Sequence, residues 1–144
     1  MEVYKHRVQY YETDKMGITH HSNYIRWMEE ARMDFLARQG WSYARLEAEG
    51  IVSPVMSVSC RYKAPTTFAD EIGIAVSVEE FRGVVLKLAY ELRRGDTLVC
   101  EGRSEHVFLN REGRFLRLNR EYPEFYRLLT ELAAGDGDGS ASAE

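Results

Sequence analysis

From Glu71 to Leu109 the chain alternates apolar and polar residues almost without a break. Ile72, Ile74, Val76 and Val78 share one face; Leu86, Leu88, Tyr90 and Leu92 follow; then come Leu98, Cys100, Gly102, Ser104, His106 and Phe108. A period of two is the signature of strands with one buried face. Arg82-Gly83 and Gly95-Asp96 interrupt the pattern with turn residues, so the run reads as three consecutive strands over 71–81, 84–93 and 98–109. Tight turns join antiparallel neighbours, whereas parallel strands need long crossovers. A further strand over 51–63 puts Met56, Val58, Cys60 and Tyr62 on one side and Ser57, Ser59, Arg61 and Lys63 on the other, and ends before Pro65 and the Thr66-Thr67 pair.

A sheet with one apolar face needs a cover. The chain supplies it at 23–39, where Tyr24, Trp27, Met28, Ala31 and Phe35 fall at helical spacing. Ile25, Met33 and Leu36 widen that stripe, while Arg26, Glu29, Glu30 and Asp34 lie mostly opposite. Gly102 and Ser104 are small enough to let this helix approach the sheet, with Trp27 and Phe35 as the expected contacts. A first strand is predicted over 3–11, and a short helix over 41–49 with Ser42 as cap and Gly50 as stop. Asn110 to Gly113 reads as a turn, with a short strand near Phe115 and a last helix over 122–132. The expectation is one α+β domain over 1–132, an antiparallel sheet wrapped on one helix, with a disordered tail at 133–144 that is rich in Gly, Ser and Ala.

Between the first strand and the long helix lies Thr13-Asp14-Lys15-Met16-Gly17-Ile18-Thr19-His20-His21-Ser22. Ser22 reads as the N-cap of the helix. The first turn of a helix carries free N–H groups and a partial positive charge, which suits a developing oxyanion. Asp14 brings a carboxylate close to that end in sequence. His20, His21 and Asp14 do not make a metal site, because adjacent histidines point apart and no third nitrogen or sulfur ligand is near.

The string from Asp14 to Trp27, with its Asp, a Gly three residues on, a His seven after the Asp and Asn23-Tyr24 opening the helix, resembles the signature of hotdog-fold acyl-CoA thioesterases. The nearest branch is that of the YbgC-type enzymes and 4-hydroxybenzoyl-CoA thioesterase. The likeness runs roughly from Val3 to Leu132 and is strongest from Tyr10 to Arg38. It implies the hotdog fold, hydrolysis of a thioester to a carboxylate and free coenzyme A, and Asp14 as nucleophile or general base. It further implies an oxyanion site at the backbone of His21 and Ser22, with the His21 imidazole assisting, and a substrate pocket that includes Tyr11, Gly17, His20 and Tyr24. Tyr62 and Pro65 match the family's Tyr-x-x-Pro strand exit, and Arg61, Lys63 and Arg82 are the candidates for the phosphates of coenzyme A. Relatives join two subunits edge to edge with the active site between them, which implies a dimer or tetramer, and their chemistry uses no cofactor beyond water.

Composition narrows the alternatives. The formal net charge of −4 and the lack of a basic run disfavour nucleic acid as a partner. The N-terminal residues lack the apolar run of a signal peptide and no stretch is long enough to span a membrane, so the expected location is cytoplasmic. Cys60 and Cys100 sit in apolar strands and read as free thiols. No G-x-S-x-G string or phosphate-cradling loop is present. His106 faces the core and reads as structural, and Glu29 and Glu30 as solvated or subunit-facing. The rival functions are an acyl-thioester binding protein without turnover and a hotdog hydratase or dehydratase, which would need a histidine placed to move a proton on the acyl chain.

Overall fold

The computed structural model describes residues 3–135. Five antiparallel strands form one sheet: β1 (Tyr4–Arg7), β2 (Val55–Tyr62), β3 (Glu71–Phe81), β4 (Leu86–Arg94) and β5 (Thr97–His106), in the order β1-β3-β4-β5-β2. The long helix α1 (Ser22–Arg38) and short α2 (Tyr43–Glu49) lie between β1 and β2 in the chain; α3 (Leu118–Glu121) and α4 (Pro123–Ala133) follow β5. The alternation of β3 and β4 becomes a buried row, with Ile72, Ile74, Leu88 and Leu92 at 1% exposure or less. The other face is lined by small or charged residues and carries cross-strand pairs such as Arg103 with Glu79 and Lys87 with Glu105. The sheet is therefore apolar on one side only, as an antiparallel sheet with one cover should be.

α1 supplies that cover. Trp27, Met28, Ala31 and Leu36 are buried against the sheet, and burial of a large apolar side chain stabilises by roughly 2 kcal/mol. The side chain above Gly102 is Met28, not Trp27 or Phe35 as the spacing suggested: a Cβ on Gly102 would lie 2.7 Å from Met28 Sδ and Cε. Trp27 instead turns toward β1, where its ring packs at a tilt of 33° against His6, centroids 4.6 Å apart. Beyond the end of α1, Phe125 of α4 packs on Trp41 and Phe108, and Tyr126 on Phe81, closing one continuous core. α2 forms as its residues dictate, with Ser42 Oγ accepting the Arg45 N–H at 3.1 Å and Gly50 taking the left-handed C-cap at φ 81°.

Three local expectations change. β1 stops at Arg7 rather than Tyr11, because Tyr10–Glu12 coils into a 3-10 turn whose Glu12 carboxylate accepts the Gln9 N–H at 2.8 Å. Phe115 makes a single bridge to Leu109 instead of a strand, and α3 precedes the last helix. β2 is an edge strand, and most of the apolar face expected on it lies open: Met56, Val58 and Tyr62 are 38–57% exposed, and Cys60 alone is half-buried. α4 runs through Ala133; of the tail foreseen at 133–144, residues 136–144 lie outside the described residues.

Candidate active site

The Asp14 loop is a tight, internally bonded turn. Asp14 Oδ1 accepts the Met16 N–H at 2.8 Å, its carbonyl accepts the Gly17 N–H, and its own N–H donates to Ile18 O. Gly17 has φ 82°, the left-handed region that favours glycine. The half-buried Asp14 keeps Oδ2 without a partner among the described residues. A neighbouring segment pins the loop from outside. Thr19 N–H donates to Thr66 O at 2.8 Å, the Thr19 and Thr66 hydroxyls meet at 2.6 Å, and Thr67 Oγ1 donates to Gly17 O at 2.7 Å. Thr66 also meets the hydroxyl of buried Tyr24 at 2.9 Å. Burial pushes the Tyr24 phenol upward, so it stays a neutral hydrogen-bonding group.

The helix start differs in detail from the expected cap. Ser22 is the first helical residue; His21 stands at the N-cap position with helical dihedrals, φ −59° and ψ −26°. The capping acceptor is the imidazole of His20, whose Nδ1 accepts the Ser22 N–H at 3.2 Å and lies 2.9 Å from Ser22 Oγ. His20 therefore covers the helix end, exposed and stacked on His21 at 4.4 Å. The backbone N–H of His21 has no partner among the described residues.

Beside this helix end opens a cleft of about 290 Å³, lined by Ile18, Thr19, His21, Tyr24, Tyr62 and the 63–65 strand exit. Tyr62 packs edge-on to Tyr24 at 5.2 Å and to His21 at 6.2 Å. The walls of the cleft are mostly apolar, with His21, Tyr24 and Tyr62 as polar points, the character of a small-molecule site. Of the residues expected from the sequence, His21, Tyr24, Tyr62 and Lys63 meet here. Asp14 lies on the adjoining loop and makes no hydrogen bond to His20, His21 or Ser22 among the described residues. Tyr11 is 82% exposed and does not line the cleft. Arg61 and Lys63 sit at one end of the sheet, and Lys63 pairs with Glu101 at 3.8 Å. Arg82 belongs to the opposite end: Phe81 pairs with Leu86, Leu86 with His106, and His106 with Val55. That separates it from Arg61 by about 20 Å along the strands.

Two features were missed in the sequence. Thr66 and Thr67 read only as strand breakers, yet they staple the loop from 47 and 50 residues away. Glu12 looked like an ordinary polar residue beside the motif but is 6% exposed. The other histidines stand apart from the cleft. His106 is buried, its Nε2 2.6 Å from Ser104 Oγ, and burial holds its imidazole down at about 3, so it is neutral at physiological pH. Glu29 forms a bidentate ion pair with buried Arg32, and Glu30 accepts from Tyr4.

A one-sided antiparallel sheet wrapped on a single helix, with a cleft at that helix's N-terminus and a carboxylate loop beside it, is the hotdog architecture of thioesterases. The chain belongs to the thioesterase-like superfamily, whose family model matches residues 8–134. A protein of Aquifex aeolicus described as an esterase is 32% identical over 122 residues, which cover 85% of this chain and 94% of that one. The acyl-CoA thioester hydrolase YbgC of Escherichia coli is 31% identical over 80 residues, 56% of this chain and 60% of that one. Among solved structures, the DHNA-CoA thioesterase of Staphylococcus aureus superposes with a TM-score of 0.88 at 28% identity, covering 96% of this chain and 95% of that one.

Proposed function

We propose that this acyl-CoA thioester hydrolase uses Asp14 as its reacting carboxylate and the His21 end of α1 as its oxyanion site. The observation that supports the reading is the cleft beside the start of α1, which His21 lines together with Ile18 and Thr19 of the Asp14 loop, the His21 backbone N–H having no partner among the described residues. As a thioester carbonyl is attacked, its oxygen gains charge, and a fixed N–H donor stabilises that state more than the ground state. Ser22 N–H is engaged by His20, so the His21 N–H is the first donor and Ser22 joins when His20 swings aside. Asp14 Oδ1 is tied to Met16, which leaves Oδ2 to take the proton from an attacking water or to attack the carbonyl itself. With water as the attacking group, collapse of the tetrahedral species breaks the C–S bond, and the departing thiolate takes back the proton held by Asp14, giving the carboxylate and free coenzyme A. With Asp14 itself attacking, C–S cleavage frees coenzyme A and leaves an acyl anhydride on Asp14, which a water then hydrolyses to the carboxylate. Neither route calls for a metal or an organic cofactor.

Tyr24, Tyr62 and Ile18 enclose the acyl group next to the reacting carbon; Gly17 and His20, on the adjoining loop, are not among the residues that line the cleft. Arg61, Lys63 and Arg82 serve the phosphates of coenzyme A. Because Arg82 lies at the far end of the sheet from the other two, it acts on the site of a neighbouring subunit. The open β2 edge supports self-association in pairs, with higher assemblies built from such pairs. No helix among the described residues is long and apolar enough to cross a membrane, in keeping with a proposed cytoplasmic site of action.

The test is thiol release from short, long and aromatic acyl-CoAs by the protein and by Asp14→Asn. The variant should lose about a hundredfold or more in kcat on whichever class the parent hydrolyses, since that is the usual range for removing a reacting carboxylate. Equal rates in the two proteins would remove Asp14 from the role. Saturable acyl-CoA binding by both without thiol release would turn the assignment to a binding protein.

A further inference from the structure

Glu12 is the one acidic side chain among the described residues that is buried outright. Burial on its own would raise its pKa, but hydrogen bonds from the Gln9 backbone, His6 and Trp27 outweigh that cost and hold it below the usual carboxylate range. Its two oxygens divide the work. Oε1 accepts the Gln9 N–H at 2.8 Å and lies 2.9 Å from His6 Nε2; Oε2 accepts the Trp27 indole N–H at 2.9 Å. Its carbonyl accepts the His20 N–H at 2.8 Å and the Asn23 side-chain amide at 3.0 Å.

These contacts reach both sides of the Asp14 loop and the start of α1, while the 62–67 segment on the far wall of the cleft is tied to the loop separately through Thr66 and Thr67. Gln9 and the 3-10 turn lead into Asp14, His20 closes the loop on its other side, and Trp27 and Asn23 belong to α1. Loop entry, loop exit and helix are thus held on one residue that does not line the cleft. His6 completes the arrangement from β1: its ring packs at a tilt against Trp27 and its Nδ1 lies 3.4 Å from Glu30 on α1.

We propose that Glu12 is the positioning residue of this site: through Gln9, Trp27 and His20 it sets the Asp14 loop against the start of α1. The inference rests on the thioesterase assignment of Asp14 and His21 and adds what aligns them. A small displacement of a reacting group costs rate while leaving substrate binding nearly intact. Replacing the carboxylate by an amide puts an N–H donor where acceptors are needed, so either the Gln9 N–H or the Trp27 N–H loses its partner.

The experiment compares the full-length protein with Glu12→Gln, Trp27→Phe and the double variant. Steady-state thiol release is measured well below each melting temperature, alongside amide hydrogen exchange of residues 14–23. Glu12→Gln should lower kcat about tenfold or more with KM within about twofold. Trp27→Phe should cost less, and the double variant should fall no further than Glu12→Gln, because the two act through one hydrogen bond. Exchange at His20 should speed about tenfold in Glu12→Gln while the β3 and β4 amides keep their protection.

Wild-type kcat in a Glu12→Gln protein that merely melts lower would make the carboxylate a stability element and overturn the proposal. Unchanged exchange at His20 would overturn it as well. If the parent releases no thiol from any acyl-CoA, the thioesterase assignment falls, and the exchange result still decides whether Glu12 holds the loop.

Discussion

At the residue scale, burial decides what each titratable group does. His106 sits at 1% exposure with Ser104 on Nε2 and no partner on Nδ1 among the described residues, and Arg32 adds an unfavourable charge nearby. Its folded-state pKa of about 3 lies below the 6.5 of a free imidazole. The unfolded chain therefore binds the extra proton first as pH falls, so stability is full above about 6.5 and declines toward 3. The slope is at most about 1.4 kcal/mol per pH unit. Thermal melts from pH 7 to 5 should show this decline in the parent protein and a flatter profile in His106→Gln. An equal slope in both would assign the effect elsewhere. Glu12 carries the opposite kind of group but the same direction: its depressed pKa makes its contribution vanish only as pH drops through the acid range, below the window that reports on His106.

At the element scale, the height of α1 above the sheet is set where Met28 crosses β5. Gly102 is conformationally ordinary there; what it supplies is the absence of a Cβ that would collide with Met28 Sδ and Cε at 2.7 Å. The colliding atoms are the end of a flexible side chain, so Gly102→Ala should cost about 1–3 kcal/mol by overpacking rather than unfold the domain. In a Met28→Ala background the same substitution should cost close to nothing, since the collision is gone and an alanine is better than a glycine in a strand. Urea melts of the two single variants and the double variant read the difference directly. Additive costs would mean that α1 rests on other contacts.

At the scale of the whole molecule, the sheet ends differently on its two sides. β1 is four residues long and carries Lys5 and Arg7, features that discourage pairing. β2 is eight residues long and exposes Val55, Met56, Val58 and Tyr62. An edge of that length and apolar character suits the proposed self-association. Sedimentation should find the 16.7 kDa chain as a dimer or a multiple of one, and Val58→Glu should shift it to monomer. A parent that sediments as a monomer would refute pairing through β2. Because Arg82 and Arg61 stand at opposite ends of the sheet, the same variant should raise KM for acyl-CoA if two chains share a site.

The sequence alone determined what repeats locally. The alternation of β3 to β5, the turns at Gly83 and Gly95, the stripe of α1 and the caps of α2 all depend on residues within a few positions of each other, so each is legible in the order of the residues. The Asp14 loop was legible for the same reason, as a compact string with a helix start attached. Only the tertiary structure decided which distant groups complete it. Thr66 and Thr67 reach the loop from another part of the chain, Glu12 becomes a buried hub because Trp27 and His6 converge on it, and Met28 rather than Trp27 meets Gly102. The same holds for the open face of β2 and for the separation of Arg82 from Arg61. Periodicity records which way a side chain points; strand order and helix placement choose what it meets, and those arise from pairings between residues far apart in the chain.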